Sequence, residues 1–151
     1  MFTKNSKIEF VSHDTDETEA IGKTLGEYLD GHDVSRAVIA MRGEMGVGKT
    51  AFVRGFAASV GICSVKSPTY TVMNHYLGKR NIFHFDMYRI KDEDDLISVG
   101  YDDCIASDGY TLIEWSENIE YALPRDIISV TISRIPGSDD SRKITIEDMG
   151  K

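Results

Sequence analysis

The sequence predicts an α/β fold, a three-layer sandwich around a mixed, partly parallel sheet with a C-terminal β-hairpin. Three observations carry this expectation. An apolar, β-prone run at residues 37–41 feeds a glycine-rich turn, and a helical pattern with Phe52, Val53, Phe56 and Val60 leads out of it. A second such run, Tyr110-Thr111-Leu112-Ile113, ends on Glu114-Trp115, and an acid at the end of a buried strand is where an open α/β sheet presents groups to a ligand. Two strand-like runs, 127–135 and 143–147, flank Pro136-Gly137-Ser138-Asp139-Asp140-Ser141 and close the chain as a hairpin.

The glycine-rich turn organises the rest. Gly43-Glu44-Met45-Gly46-Val47-Gly48-Lys49-Thr50 has a glycine, four residues and then Gly-Lys-Thr, in the strand–loop–helix context that a Walker A motif, or P-loop, requires. Glycines let the backbone curl so that several N–H groups face phosphate oxygens, and the following helix adds the positive end of its dipole. Lys49 is then expected at the β- and γ-phosphates and the Thr50 hydroxyl on magnesium. The fold class is accordingly a P-loop NTPase-like sandwich.

Taken in order, residues 8–11 form a short alternating run, and Ser12-His13-Asp14-Thr15-Asp16 suits a helix cap. Ile21, Leu25, Tyr28 and Leu29 repeat at helical spacing over 20–29, and Gly31-His32-Asp33 ends that helix. Gly61 is placed to close the P-loop helix. Pro68 holds residues 65–72 extended, as a loop entering a strand. Residues 71–76 and 81–87 predict a hairpin turning on Gly78, with Phe83, Phe85 and Met87 on a core face and Ile82, His84 and Asp86 on the other. The acidic start of 91–100 is the charge order of a solvated helix N-terminus rather than a metal site. A short helix over 101–107, a turn at Asp108-Gly109 and a helical segment over 117–123, stopped by Pro124, complete the elements.

One domain is expected over residues 1–151, a length that buries roughly 70% of the unfolded surface and supports a core without staples. Cys63 and Cys104 lack metal-type spacing and make no secreted disulfide framework, the start of the chain has no apolar leader, and no run approaches a membrane span. A cytoplasmic protein is expected. Seventeen Lys and Arg against 25 Asp and Glu leave a net charge of −8, which argues against a surface that grips long nucleic acid unaided.

A P-loop needs a second acid to hold the metal, and Asp86 and Glu114 both end candidate strands. Their ranking stays open from the sequence. Trp115 reads either as core packing, the commoner role, or as a lid over the site. His84 reads as a satisfied strand histidine. Ser67-Pro68-Thr69-Tyr70 takes the place of a switch loop that senses the γ-phosphate.

These residues together resemble the TsaE (YjeE-type) ATPases of bacterial threonylcarbamoyladenosine tRNA modification. The P-loop, Phe52-Val53-Arg54-Gly55, Ser67 to Thr71, His84-Phe85-Asp86-Met87-Tyr88-Arg89-Ile90, Gly100, Ile113-Glu114-Trp115 and Leu123-Pro124 follow that family's order and approximate spacing over nearly the whole chain. The resemblance implies an ATP- and Mg2+-dependent ATPase, slow alone, that works with TsaB and TsaD proteins and meets tRNA only indirectly. Hydrolysis would reset that complex as it modifies adenosine 37 of ANN-decoding tRNAs. It also implies that Thr50 and Glu114 hold magnesium, that Gly43 and the segment Gly46, Val47, Gly48, Lys49, Thr50 and Ala51 bind phosphates, and that Asp86 and Trp115 serve activity beside Glu114. Asp14 and Arg142 are carried over as residues framing the adenine, and Glu117 is counted with the nucleotide-binding set. Glu44 stands where the family commonly has Asp, and Ser116 where many members have Pro.

Overall fold

The computed structural model describes residues 6–44, 46–66 and 72–148. Seven strands make one sheet in the order β1-β7-β6-β2-β5-β4-β3. They are β1 (Lys7–Ser12), β2 (Arg36–Arg42), β3 (Met73–Tyr76), β4 (Ile82–Asp86), β5 (Gly109–Glu114), β6 (Ile127–Arg134) and β7 (Arg142–Asp148). β2 is central and pairs in parallel with both β5 and β6, and β4 pairs in parallel with β5. The edges are antiparallel: β3 on β4, β7 on β6 and β1 on β7. The chain therefore forms the α/β, mixed and partly parallel sheet that the sequence predicts, with the C-terminal hairpin pairing Arg134 with Arg142 at its open turn. The run 8–11 is an edge strand seated on that hairpin.

Two apolar layers sandwich the sheet. On one side α1 (Thr15–Gly31) and α2 (Lys49–Ala58) bury Leu25, Leu29, Phe52, Val53 and Phe56 against Ile39, Met41, Leu112, Val130 and Ile144. On the other, α3 (Glu93–Ser98), α4 (Tyr101–Ala106) and the 3-10 segment Ser116–Ala122 bury Leu96, Tyr101 and Ile119 against Val38, Ala40, Phe85 and Ile113. This corrects the expectation that β4 has one core face: Ile82 joins the α1/α2 layer while Phe83 and Phe85 join the other, and His84 is fully buried between strands. A strand covered by helices on both sides carries no period-two polar signal.

Local chemistry sets the helix ends. α1 begins at Thr15, five residues before its apolar repeat, because the Asp14 carboxylate accepts the Glu17 N–H at 2.8 Å. α2 ends on paired bonds from Gly61 N to Ala58 O and from Ile62 N to Ala57 O, with Gly61 at φ +83°, so the sequence places this stop correctly. Gly78 lies in the β3–β4 connection with no positive φ. It is glycine because a side chain there would meet the Val60 carbonyl at 2.5 Å. Asp92 caps α3 by accepting from Asp95 N at 2.9 Å, so the acidic run forms the helix start expected of it.

Tyr110 ties the floor of the sheet. Its ring is fully buried, meets Phe56 edge-on at 5.5 Å, and donates its hydroxyl to Val34 O at 2.8 Å; burial pushes the phenol up to about 12. Tyr110→Phe is expected to cost about 1 kcal/mol, the net worth of one buried hydrogen bond, measured as a lower urea midpoint with unchanged slope.

Candidate phosphate and metal site

The parallel strands β2, β5 and β4 point the same way, so the P-loop after β2, Glu114 at the end of β5 and Asp86 at the end of β4 emerge at one edge. Asp86 and Glu114 face each other in register. The loop has the backbone its glycines permit: Gly43, Gly46 and Gly48 take φ of +151°, +75° and +116°. A side chain at Gly43 would strike Ile132 O at 2.6 Å and Val47 Cγ1 at 2.9 Å, so only glycine fits where the loop passes the end of β6. Met45 and the predicted switch segment, Ser67 to Thr71, lie outside the described residues.

Lys49 is almost fully buried at the first position of α2, with Val47 and Ala51 buried on either side. Its Nζ donates to the Gly43 carbonyl and sits 4.0 Å from the centroid of the Trp115 ring. Burial pulls the ammonium down from its ordinary range, an effect opposed by Glu114, Glu117 and Asp86. Glu117, exposed at the start of the 3-10 segment, thus reaches the site through its field.

Trp115 is half-buried, at φ +58°, with its ring packed at 5.1 Å on the exposed Tyr88. Core packing describes it only in part, since the left-handed backbone turns the indole out of the strand and under Lys49. Ser116 after it donates to Met41 O at 3.0 Å in the core, a bond to the P-loop strand that proline could not make.

Thr50 and Glu114 converge: Thr50 Oγ1 lies 3.3 Å from Glu114 Oε2. One hydroxyl and one carboxylate suit magnesium, which keeps waters and phosphate oxygens in its octahedron and rarely takes an all-protein cage. Glu114 is 5% exposed and its Oε2 also lies 2.6 Å from His84 Nε2. Asp86 is held differently. Its Oδ1 accepts the Tyr88 N–H at 3.0 Å, and burial raises its carboxyl above the ordinary 3.8, with Glu114 adding to the rise and Tyr88 N–H, His84 and Lys49 opposing it.

Of the two residues expected to frame the adenine, Arg142 lies against the loop and Asp14 is engaged at the start of α1. Arg142 donates from Nε to Val47 O at 2.9 Å, and from Nη1 to Asp139 O and Ser141 O. It braces the P-loop from β7, a contact that the sequence did not signal. Asp14 caps α1, whose Thr18 stands next to the loop: a side chain at Gly48 would meet the Thr18 methyl at 3.8 Å. Sequence reasoning also missed Arg134 on β6, 3.8 Å from Glu44, and the buried His84–Glu114 pair; the latter had one signal, a polar residue inside the apolar run of β4.

A family model described as "Threonylcarbamoyl adenosine biosynthesis protein TsaE" matches residues 12–144. Among curated relatives, the tRNA threonylcarbamoyladenosine biosynthesis protein TsaE of Bacillus subtilis is 36% identical over 137 residues, covering 89% of this chain and 82% of its own length. The protein of the same name from Treponema pallidum is 33% identical, covering 90% and 97%, and that of Haemophilus influenzae 37% identical, covering 83% and 79%. The crystal structure of Bacillus subtilis YdiB superimposes with a TM-score of 0.80 at 29% identity, over 96% of this chain and 87% of that one. With the family matched over almost the full sheet and the P-loop, Glu114 and Asp86 gathered at one edge of it, this chain belongs to the TsaE family.

Proposed function

We propose that this chain is a single-domain, magnesium-dependent ATPase, slow alone, that acts with TsaB- and TsaD-type proteins in threonylcarbamoyladenosine modification at position 37 of ANN-decoding tRNAs, where hydrolysis resets the complex between turnovers. The names of its curated relatives support the pathway. The observation that carries the chemistry is the convergence of Thr50 Oγ1 and Glu114 Oε2 directly behind the P-loop.

In this reading Gly43, Gly46, Val47, Gly48, Lys49, Thr50 and Ala51 cradle the phosphates. Lys49 exchanges its bond to Gly43 O for one to phosphate, at little cost because its carbonyl partner is neutral and its neighbours Glu114, Glu117 and Asp86 keep it charged. Thr50 and Glu114 hold magnesium, which when bound neutralises charge on the β- and γ-phosphates. Asp86, fixed by the Tyr88 N–H, orients the attacking water and takes its proton; Trp115 covers the reacting end and shields it from solvent. Asp14 and Arg142 set the outer rim where the base lies, Arg142 by bracing Val47.

The test mixes the chain with TsaB- and TsaD-type proteins, tRNA and an activated threonylcarbamoyl donor. Adenosine modification is expected with ATP, no product without it, and a stall after a single cycle with a non-hydrolysable ATP analogue. Continued cycling on the analogue would mean that bound nucleotide merely shapes a docking surface.

A further inference from the structure

The imidazole of His84 has no access to solvent, yet it lies in the middle of a strand flanked by Phe83 and Phe85, where packing alone is served better by an apolar residue. Its Nδ1 is buried with no hydrogen-bond partner among the described residues. The other nitrogen, Nε2, makes a 2.6 Å contact with Glu114 Oε2, the oxygen that also receives the Thr50 hydroxyl. All the polar capacity this ring uses is therefore directed at one carboxylate oxygen, and the Glu114 side chain is itself only 7% exposed. A buried carboxylate at a strand end without a donor would leave its oxygens unpaired and free to rotate.

We propose that His84 is a positioning residue for magnesium: through Nε2–H it fixes the plane of the Glu114 carboxylate, so that the carboxylate and Thr50 Oγ1 are already convergent before metal and nucleotide arrive. The proposal rests on the assignment of Thr50 and Glu114 as the magnesium-holding pair. His84 touches neither nucleotide nor water in this scheme and acts only through Glu114. Hydrogen bonds of this kind to ligating carboxylates typically account for about 10–100-fold in metal affinity.

The chain would be titrated with a fluorescent ADP analogue, excited by transfer from Trp115, the sole tryptophan of the sequence, at graded Mg2+ and in excess chelator. His84→Leu fills the ring's space without a donor, and His84→Gln puts an amide N–H close to the position of Nε2. In His84→Leu the Mg2+ concentration giving half-maximal strengthening of binding is expected to rise about 10–100-fold, with metal-free affinity for the analogue unchanged. His84→Gln should restore most of the shift, with melting temperatures verifying that both variants fold. An unshifted Mg2+ midpoint in His84→Leu overturns the proposal. So does an equal loss of metal-free binding in both variants, which would make His84 a general packing residue. No Mg2+ effect on the unsubstituted chain is a separate outcome: it overturns the magnesium pair itself, and the positioning role with it.

Discussion

Asp86→Asn is expected to lower ATP turnover in the partner-containing assay by about 10²–10⁴-fold, the usual worth of a positioned general base, while nucleotide affinity stays near its original value. The asparagine keeps an oxygen to accept the Tyr88 N–H, so the side chain remains oriented and only the proton-accepting group is lost. The same substitution should stabilise the nucleotide-free, metal-free chain, and the sign follows from the carboxyl's surroundings. Burial, with Glu114 opposite, holds the folded-state value above the ordinary 3.8, so the folded chain binds this proton more tightly than the unfolded one. Stability contributed by Asp86 is thus present below about pH 3.8 and is lost as pH rises through the raised folded value. Melting curves should coincide for the two chains in acid and separate in favour of Asp86→Asn toward neutrality. Unchanged hydrolysis would remove Asp86 from the chemistry; a variant less stable at neutral pH would show that its charge is favourably paired. A more stable but inactive variant is the expected signature of a carboxylate held at a cost for its function.

The residues alone leave Asp86 and Glu114 unranked, although both are legible as strand-end acids. Each follows an apolar run, and strand-end position is a local property that sequence reports well. Their different surroundings depend on neighbours brought by pairing: β5 lies beside β2 and sets Glu114 against Thr50, whereas β4 lies one strand further out and leaves Asp86 to the Tyr88 backbone. The P-loop was legible because strand, glycines and helix are contiguous. The capping cluster at residues 12–16, the acidic helix start within 91–100 and the stop at Gly61 were legible for the same reason. What local pattern could not supply was the covering of β4 on both faces, the bracing of Val47 by Arg142 from 95 residues away, and the turn of Trp115 toward Lys49 through a positive φ. Each of these arises from layers that meet only after the sheet has assembled.

Gly55→Ala is expected to destabilise the fold even though alanine is the better helix former by about 1 kcal/mol. A Cβ at Gly55 would lie 1.8 Å from the Glu19 carbonyl oxygen and 2.5 Å from its carbon, and backbone cannot rotate aside as a side chain can. Gly22 and Gly26 make the reciprocal approach from α1, with Phe52 O at 2.2 Å and Ser59 Oγ at 2.1 Å from their would-be Cβ atoms. The two helices touch backbone to backbone, and the methyl must drive them apart. Overpacking of this kind costs about 1–3 kcal/mol or more. At about 2–4 °C per kcal/mol for a chain of this size, the melting temperature should fall by several degrees after the propensity gain is subtracted. The loss should extend to function, because α1 carries Thr18 against Gly48 of the P-loop while the Glu114 side of the site hangs on the sheet. Nucleotide affinity should therefore drop with little change in its Mg2+ dependence. Gly31→Ala is the control: it ends α1, the partner helix, has open space around its would-be Cβ and no positive φ, and should be neutral or stabilising by about 0.5–1 kcal/mol. If calorimetry found both variants equally stable, α1 and α2 could separate freely, and the close glycine contact would not be what holds α1 against the phosphate loop.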